Sequence, residues 1–121
     1  MKRIKPYMLS MAMLLTFSFP SYADGNDLLD NCLAAEKFMD TQEMNNPFGI
    51  GVCFGMVQGV RNTMSILGKN KVVEACLPKN GITNGQATRI VVSYLKRNPA
   101  ILHYDEVLLT MAAFGEAYPC K

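Results

Sequence analysis

The residues best equipped for chemistry are four cysteines, Cys32, Cys53, Cys76 and Cys120, and one histidine, His103. A thiolate acts as a nucleophile or soft metal ligand when a histidine or a nearby second cysteine supports it. No CxxC pair occurs here, and one histidine leaves little material for a Cys–His nucleophile or a Cys/His zinc set. The stretch "CLPKNGITNGQ", residues 76–86, puts Cys76 on a loop that runs into a helix start. An even cysteine count in an oxidising compartment reads as two disulfides, so Cys76 is read as a staple rather than a reactive thiol.

The carboxylates offer no better site. Asp105 and Glu106 are adjacent, and neighbours on a helix point in different directions, so they cannot flank one substrate bond. Glu36 falls among Leu28, Leu29, Cys32, Leu33 and Met39, where a charged head belongs at the rim of the face, in water. His103, with Glu106 one turn later, is read as a surface ion pair rather than a pH sensor or an acid–base group. Arg89, Lys96 and Arg97 are read as a solvated face rather than an acidic-partner site. The residues support no enzyme, and they imply no metal or cofactor.

The compartment follows from residues 1–23, "MKRIKPYMLSMAMLLTFSFPSYA". Lys2, Arg3 and Lys5 precede an apolar run from Met8 to Phe19, and Ser21-Tyr22-Ala23 has the small residues a signal peptidase reads. That run falls short of the roughly 20 residues needed to span a bilayer. Residues 1–23 are expected to be a leader removed after Ala23 on export, and 24–121 the domain. Of 12 basic residues the leader takes three, leaving 9 against 10 acidic ones, a formal charge of −1. The basicity lies in the leader, so nucleic-acid binding loses its electrostatic support, and no membrane segment is expected after cleavage.

The elements that must position the cysteines read as four helices, an all-α small bundle stapled by two disulfides. Asn26 or Asp27 is expected to cap the first, which runs to about Met39. "DTQEMNNP" is a polar loop leading to a second helix from about Phe48 to Leu67, closed by Gly68. Its core stripe is Ile50, Cys53, Val57, Val60, Met64 and Leu67. Gly51, Gly55 and Gly59 recur along another border. Each costs a helix about 1 kcal/mol against alanine, so the set implies close approach of another backbone. A neighbouring helix of the same chain is preferred over a dimer seam. An irregular stretch follows, with one short turn at Val72–Ala75.

Thr83-Asn84-Gly85-Gln86 matches a capping box and opens a third helix reaching about Arg97, with Ala87, Ile90, Val91, Tyr94 and Leu95 on one face. Asn98-Pro99 is expected to start a fourth helix that continues to about Glu116 and is the most buried of the four. Four cysteines allow three pairings. The first two helices should lie antiparallel, with Cys32 and Cys53 on facing stripes at similar distances from the hairpin. That makes Cys32–Cys53 with Cys76–Cys120 the first choice.

Taken in order, "GNDLLDNC", "CFGMVQGV", "CLPKNGITNGQATRIVVSYLKRNP" and "AYPC" resemble the Rap/Tai type immunity proteins, which protect bacteria against peptidoglycan amidases delivered by type VI secretion. The similarity covers nearly all of the chain after Ala23. It implies a disulfide-bonded helical periplasmic protein without enzymatic activity. Its partner would be a cell-wall amidase effector whose active-site cleft it occludes, and the family often forms homodimers. The exposed segments that could enter such a cleft are Asp40, Thr41, Gln42, Glu43, Asn45 and Asn46, then Lys79, Asn80, Thr83 and Asn84. The alternative is a small periplasmic acid-stress chaperone, which would open as its carboxylates protonate.

Overall fold

The computed structural model describes residues 23–67 and 74–121. Residues 1–22 and 68–73, and with them Gly68 and half of the expected Val72–Ala75 turn, lie outside the described residues. Four helices follow in order: α1, Gly25–Thr41; α2, Pro47–Leu67; α3, Asn84–Arg97; and α4, Glu106–Ala117. A 3-10 turn, Pro99–Ile101, separates α3 from α4. No strand occurs among the described residues, and the fold is the expected disulfide-stapled helical bundle.

Each helix starts where a side chain can satisfy its free N–H groups. Asp24, rather than Asn26 or Asp27, caps α1. Its Oδ1 accepts from the amides of Asn26 at 2.8 Å and Asp27 at 3.3 Å, and Asp27 returns the bond to form a capping box. Asn46 Oδ1 accepts from Gly49 N–H at 2.9 Å at the start of α2. Thr83 Oγ1 accepts from Gln86 N–H at 3.1 Å at the start of α3. The reciprocal bond, Thr83 N–H to the Gln86 side-chain oxygen, is not made, and the Gln86 side-chain amide donates to Tyr118 Oη at 3.2 Å.

The fourth helix departs most from expectation. Asn98 makes no cap for a helix starting at Pro99. It closes α3, its N–H donating to Leu95 O at 3.1 Å and its side chain to Tyr94 O at 2.9 Å. The long helix begins at Glu106, capped by Asp105, which accepts from Val107 N–H at 2.9 Å and Leu108 N–H at 3.1 Å. The intervening residues turn back along α1, where Asp24 and Asp105 pair as an antiparallel bridge. His103 therefore lies on a turn, stacked on Tyr104 with ring centroids 4.3 Å apart, and forms no ion pair with Glu106. α4 buries one face only: Leu109, Thr110, Ala113 and Phe114 are inside, while Val107 and Leu108 are 40% and 51% exposed.

The core collects Leu28, Val57, Val91, Leu95, Leu109 and Phe114 from all four helices. On α2 the stripe is buried as expected except for Leu67, which is exposed. On α3, Thr88 and Val92 are buried too, and Ile90 and Tyr94 only in part. Cys32 and Cys53 join α1 to α2 inside this core, and Cys76 and Cys120 form the second bridge, the pairing chosen from the sequence.

Candidate functional site

The candidate residues after α1 are largely occupied in shaping the chain. Gln42 ends the helix in the left-handed region, φ 60°, with its N–H donating to Phe38 O at 2.9 Å. Thr41 Oγ1 donates to Lys37 O at 2.8 Å and accepts from Glu43 N–H at 3.2 Å. Glu43 pairs with Lys37 at 2.8 Å. The hydrogen bond and charge of that lysine hold its carboxyl below the usual value, with a further contribution from Asn45. Asn46 is spent on the cap of α2. The segment is exposed, but its geometry is made by most of the side chains that would touch a partner.

The end of α1 meets α3 across the fold. Arg89 on α3 pairs with Asp40, and that carboxylate holds the guanidinium more firmly protonated, with Glu36 adding to the effect. Glu36 is half-buried at the edge of its face, as expected. Gly85 sits so close to Met39 that a Cβ there would lie 3.0 Å from the Met39 sulfur. Asn84 reaches α2, its side-chain amide donating to Gln58 Oε1 at 3.2 Å, while its own Oδ1 is buried without a partner. Of the three cations on the outer side of α3, Arg89 and Arg97 are neutralised by Asp40 and Glu116. That face is a solvated one with internal pairs.

Lys79 and Asn80 are placed differently. They are exposed on a turn closed by Gly81 N–H donating to Pro78 O at 2.8 Å, with Gly81 at φ 73°. The loop carrying them is held at both ends. Cys76 is bonded to Cys120, its N–H donates to Tyr118 O at 2.8 Å, and Ala75 bridges to Pro119. At the other end Arg61 of α2 donates to Ile82 O at 2.7 Å. Beside the loop lies a cleft of about 690 Å³ whose walls include Met64, Ser65, Cys76 and Pro78.

A second surface was not apparent from the sequence. Between α2 and α4 runs an apolar groove of about 440 Å³, lined by Gly55, Met56, Gly59, Val60, Val107 and Met111, among others. A Cβ added at Gly51, Gly55 or Gly59 would meet nothing within 4 Å. Among the described residues no backbone approaches the glycine stripe, which corrects the expectation of intramolecular packing there. Phe48 and Ile66, on the same helix, are 81% and 84% exposed. The period of the glycines was legible in the sequence, but not the empty space beside them. Among the described residues, no three His, Cys, Asp or Glu side chains gather as a metal set, and no helix is long and apolar enough to cross a membrane.

The sequence profile of the Rap1a immunity proteins matches residues 24–120, from the cap of α1 to the last cysteine. The chain belongs to that family. No curated protein and no solved structure matches it. Membership in the Rap1a immunity proteins implies immunity to a type VI effector and binding of that effector as partner. In this Rap1a immunity protein the loop from Glu74 to Thr83 presents exposed groups from a backbone tied at both ends.

Proposed function

We propose that this Rap1a immunity protein is exported to the periplasm, loses its leader after Ala23, and inhibits a peptidoglycan amidase effector by occluding its active-site cleft, with no catalysis of its own. The carrying observation is the loop tip at Lys79 and Asn80, exposed yet anchored by Cys76–Cys120 and by Arg61 to Ile82 O. A projection fixed before binding loses little conformational freedom on entering a cleft, which leaves more of its contact energy as affinity. The two disulfides support an oxidising compartment. Asp40, Thr41, Thr83 and Asn84 form the adjoining surface in this reading, and Glu43, Asn45 and Asn46 act mainly by holding the α1–α2 connection.

A homodimer is part of the same proposal, with α2 as its seam. The exposed residues from Gly51 to Thr63 are Gly51, Gly55, Gln58, Gly59, Asn62 and Thr63, none charged, so two copies meet without like-charge repulsion about a two-fold axis.

The test is periplasmic co-expression with amidase effectors, scored by survival and co-purification. Wild type should protect, and Lys79→Ala with Asn80→Ala should lose protection while its thermal midpoint stays unchanged. Full protection by that variant removes the loop from the interface. Failure to bind or protect against any amidase effector overturns the proposal. Sedimentation of Gly55→Arg, expected to be monomeric where wild type is dimeric, examines the seam separately.

A further inference from the structure

Two helix N-termini meet at the Asp24–Asp105 bridge, where Gly25 N–H donates to Tyr104 O at 3.0 Å and Asn26 Nδ2 to Leu102 O at 3.3 Å. The joint is tight: a Cβ on Gly25 would collide with Leu109 and come within 2.7 Å of Leu102 O. It also gathers carboxyl groups. α1 brings Asp24 and Asp27, α4 brings Asp105 and Glu106, and the turn between α3 and α4 brings His103. None of the four carboxylates takes part in an ion pair among the described residues. Among the described residues the other packed helices pair no cation with them: Arg61, the one charged residue of α2, is held by Ile82 O, Arg89 and Arg97 of α3 by Asp40 and Glu116, and the exposed Lys96 of α3 enters no ion pair. Glu106 Oε2 is buried with no hydrogen-bond partner. Burial, then the charges of Asp105 and Asp27, push its carboxyl up.

The main-chain nitrogen of Asp24 faces this cluster, 3.5 Å from Asp27 Oδ2. In the precursor it is a peptide N–H, a single neutral donor. Hydrolysis of the Ala23–Asp24 bond adds water across it. The hydroxyl stays with Ala23 as a carboxylic acid, and that acid's proton passes through solvent to the new amine. The nitrogen becomes an ammonium with three donors and a full positive charge. We propose that leader removal completes the α1–α4 joint, the new α-ammonium of Asp24 serving as the cation its carboxylates lack. The inference rests on cleavage after Ala23, proposed above. The positive pole of α1 opposes the ammonium, but it amounts to about half a charge, against full charges on Asp24 and Asp27. The domain then tightens only after the leader is gone.

An amine whose pKa rises on folding stabilises the fold at pH below its unfolded value, about 7.7–8.0, and that stability is lost as pH climbs through the folded value. Three chains purified from the periplasm test this: wild type, Asp27→Asn, and a chain with Gly-Ser-Gly-Ser inserted after Ala23, which carries the ammonium out of reach. Intact mass reports the cleavage site. The pH dependence of α-amine acylation reports its pKa, and thermal midpoints are compared at pH 7 and pH 10. Wild type should titrate at about 8.5 or above, against the ordinary 7.7–8.0, and lose more midpoint at pH 10 than the insertion chain. Both variants should titrate lower than wild type. An ordinary value in wild type, or one equally raised in the insertion chain, overturns the joint while leaving cleavage intact. A mass that starts at another residue overturns both.

Discussion

Cys32–Cys53 joins two helices inside the core, both residues wholly buried, whereas Cys76–Cys120 joins a loop to residues 118–120 at a partly exposed site. Loop length alone ranks them one way. The bridges span 21 and 44 residues, and chain entropy assigns about 3 kcal/mol to the first and 4 to the second. Packing ranks them the other way. Opening the inner bridge by substitution leaves a void among Leu28, Ala35 and Val57, while opening the outer one releases a loop and tail that gain freedom in the native state too. One bridge stabilises a fold. The other fixes the shape of a projecting loop, where a binding protein needs it.

The largest effect should come from Cys32→Ala with Cys53→Ala. Loop entropy and lost packing together remove about 4–5 kcal/mol, between about a third and nearly all of a typical margin of about 5–15 kcal/mol. Denaturant midpoints should fall sharply, and a small fall would reverse the ranking. Cys76→Ala with Cys120→Ala should cost about 2–3 kcal/mol, less than its loop length suggests, because part of the entropy is recovered locally. Hydrogen exchange should speed up in residues 74–83 and 118–121 while α1 and α2 stay protected. In a graded reduction the outer bridge should open first.

Two glycines sharpen the same contrast between packed and open regions. Gly25→Ala should cost about 1–3 kcal/mol, since its Cβ meets the backbone of Leu102. Gly55→Ala has open space and should stabilise the monomer by up to about 1 kcal/mol. A loss of stability at Gly55 in a monomeric sample would mean the groove is closed in solution.

The smallest effect concerns pH. Glu106 has a raised pKa on folding, so its ionised form is disfavoured in the native state and its contribution improves as pH falls through that raised value. Glu106→Gln should therefore raise the thermal midpoint at pH 7, with the gain shrinking on acidification. Asp24 and Glu43 run the other way: their lowered values contribute stability above the ordinary carboxylate range, lost as pH falls through the folded values. Wild type should thus change little from pH 7 to 5 and lose stability below about pH 4. A midpoint that falls steeply between pH 7 and 5 would contradict this.

What the sequence could reveal divides along similar lines. The extents of α1, α2 and α3 and the cysteine pairing were legible because helix periodicity and caps are local signals, and a hairpin constrains which stripes face. The break before α4 was not. Asn98-Pro99 carries a valid local start signal, but Asp105 caps better, and the bridge to Asp24, 81 residues away, draws the intervening turn along α1. His103 lost its ion pair with Glu106 for the same reason. The glycine stripe shows the converse limit: spacing revealed three small residues in register, and only the fold showed that none of the described residues lies against them. Within the candidate site, exposure of Asp40–Asn46 was foreseen, whereas the capping and pairing that occupy those side chains were not.

The most direct test is the hydrolytic activity of a type VI peptidoglycan amidase titrated with the purified, oxidised chain. Activity should fall in proportion to added protein and vanish at stoichiometric ratio, with the two co-eluting. An amidase that stays fully active beside an excess of folded chain, with no complex formed, would contradict the proposed inhibition.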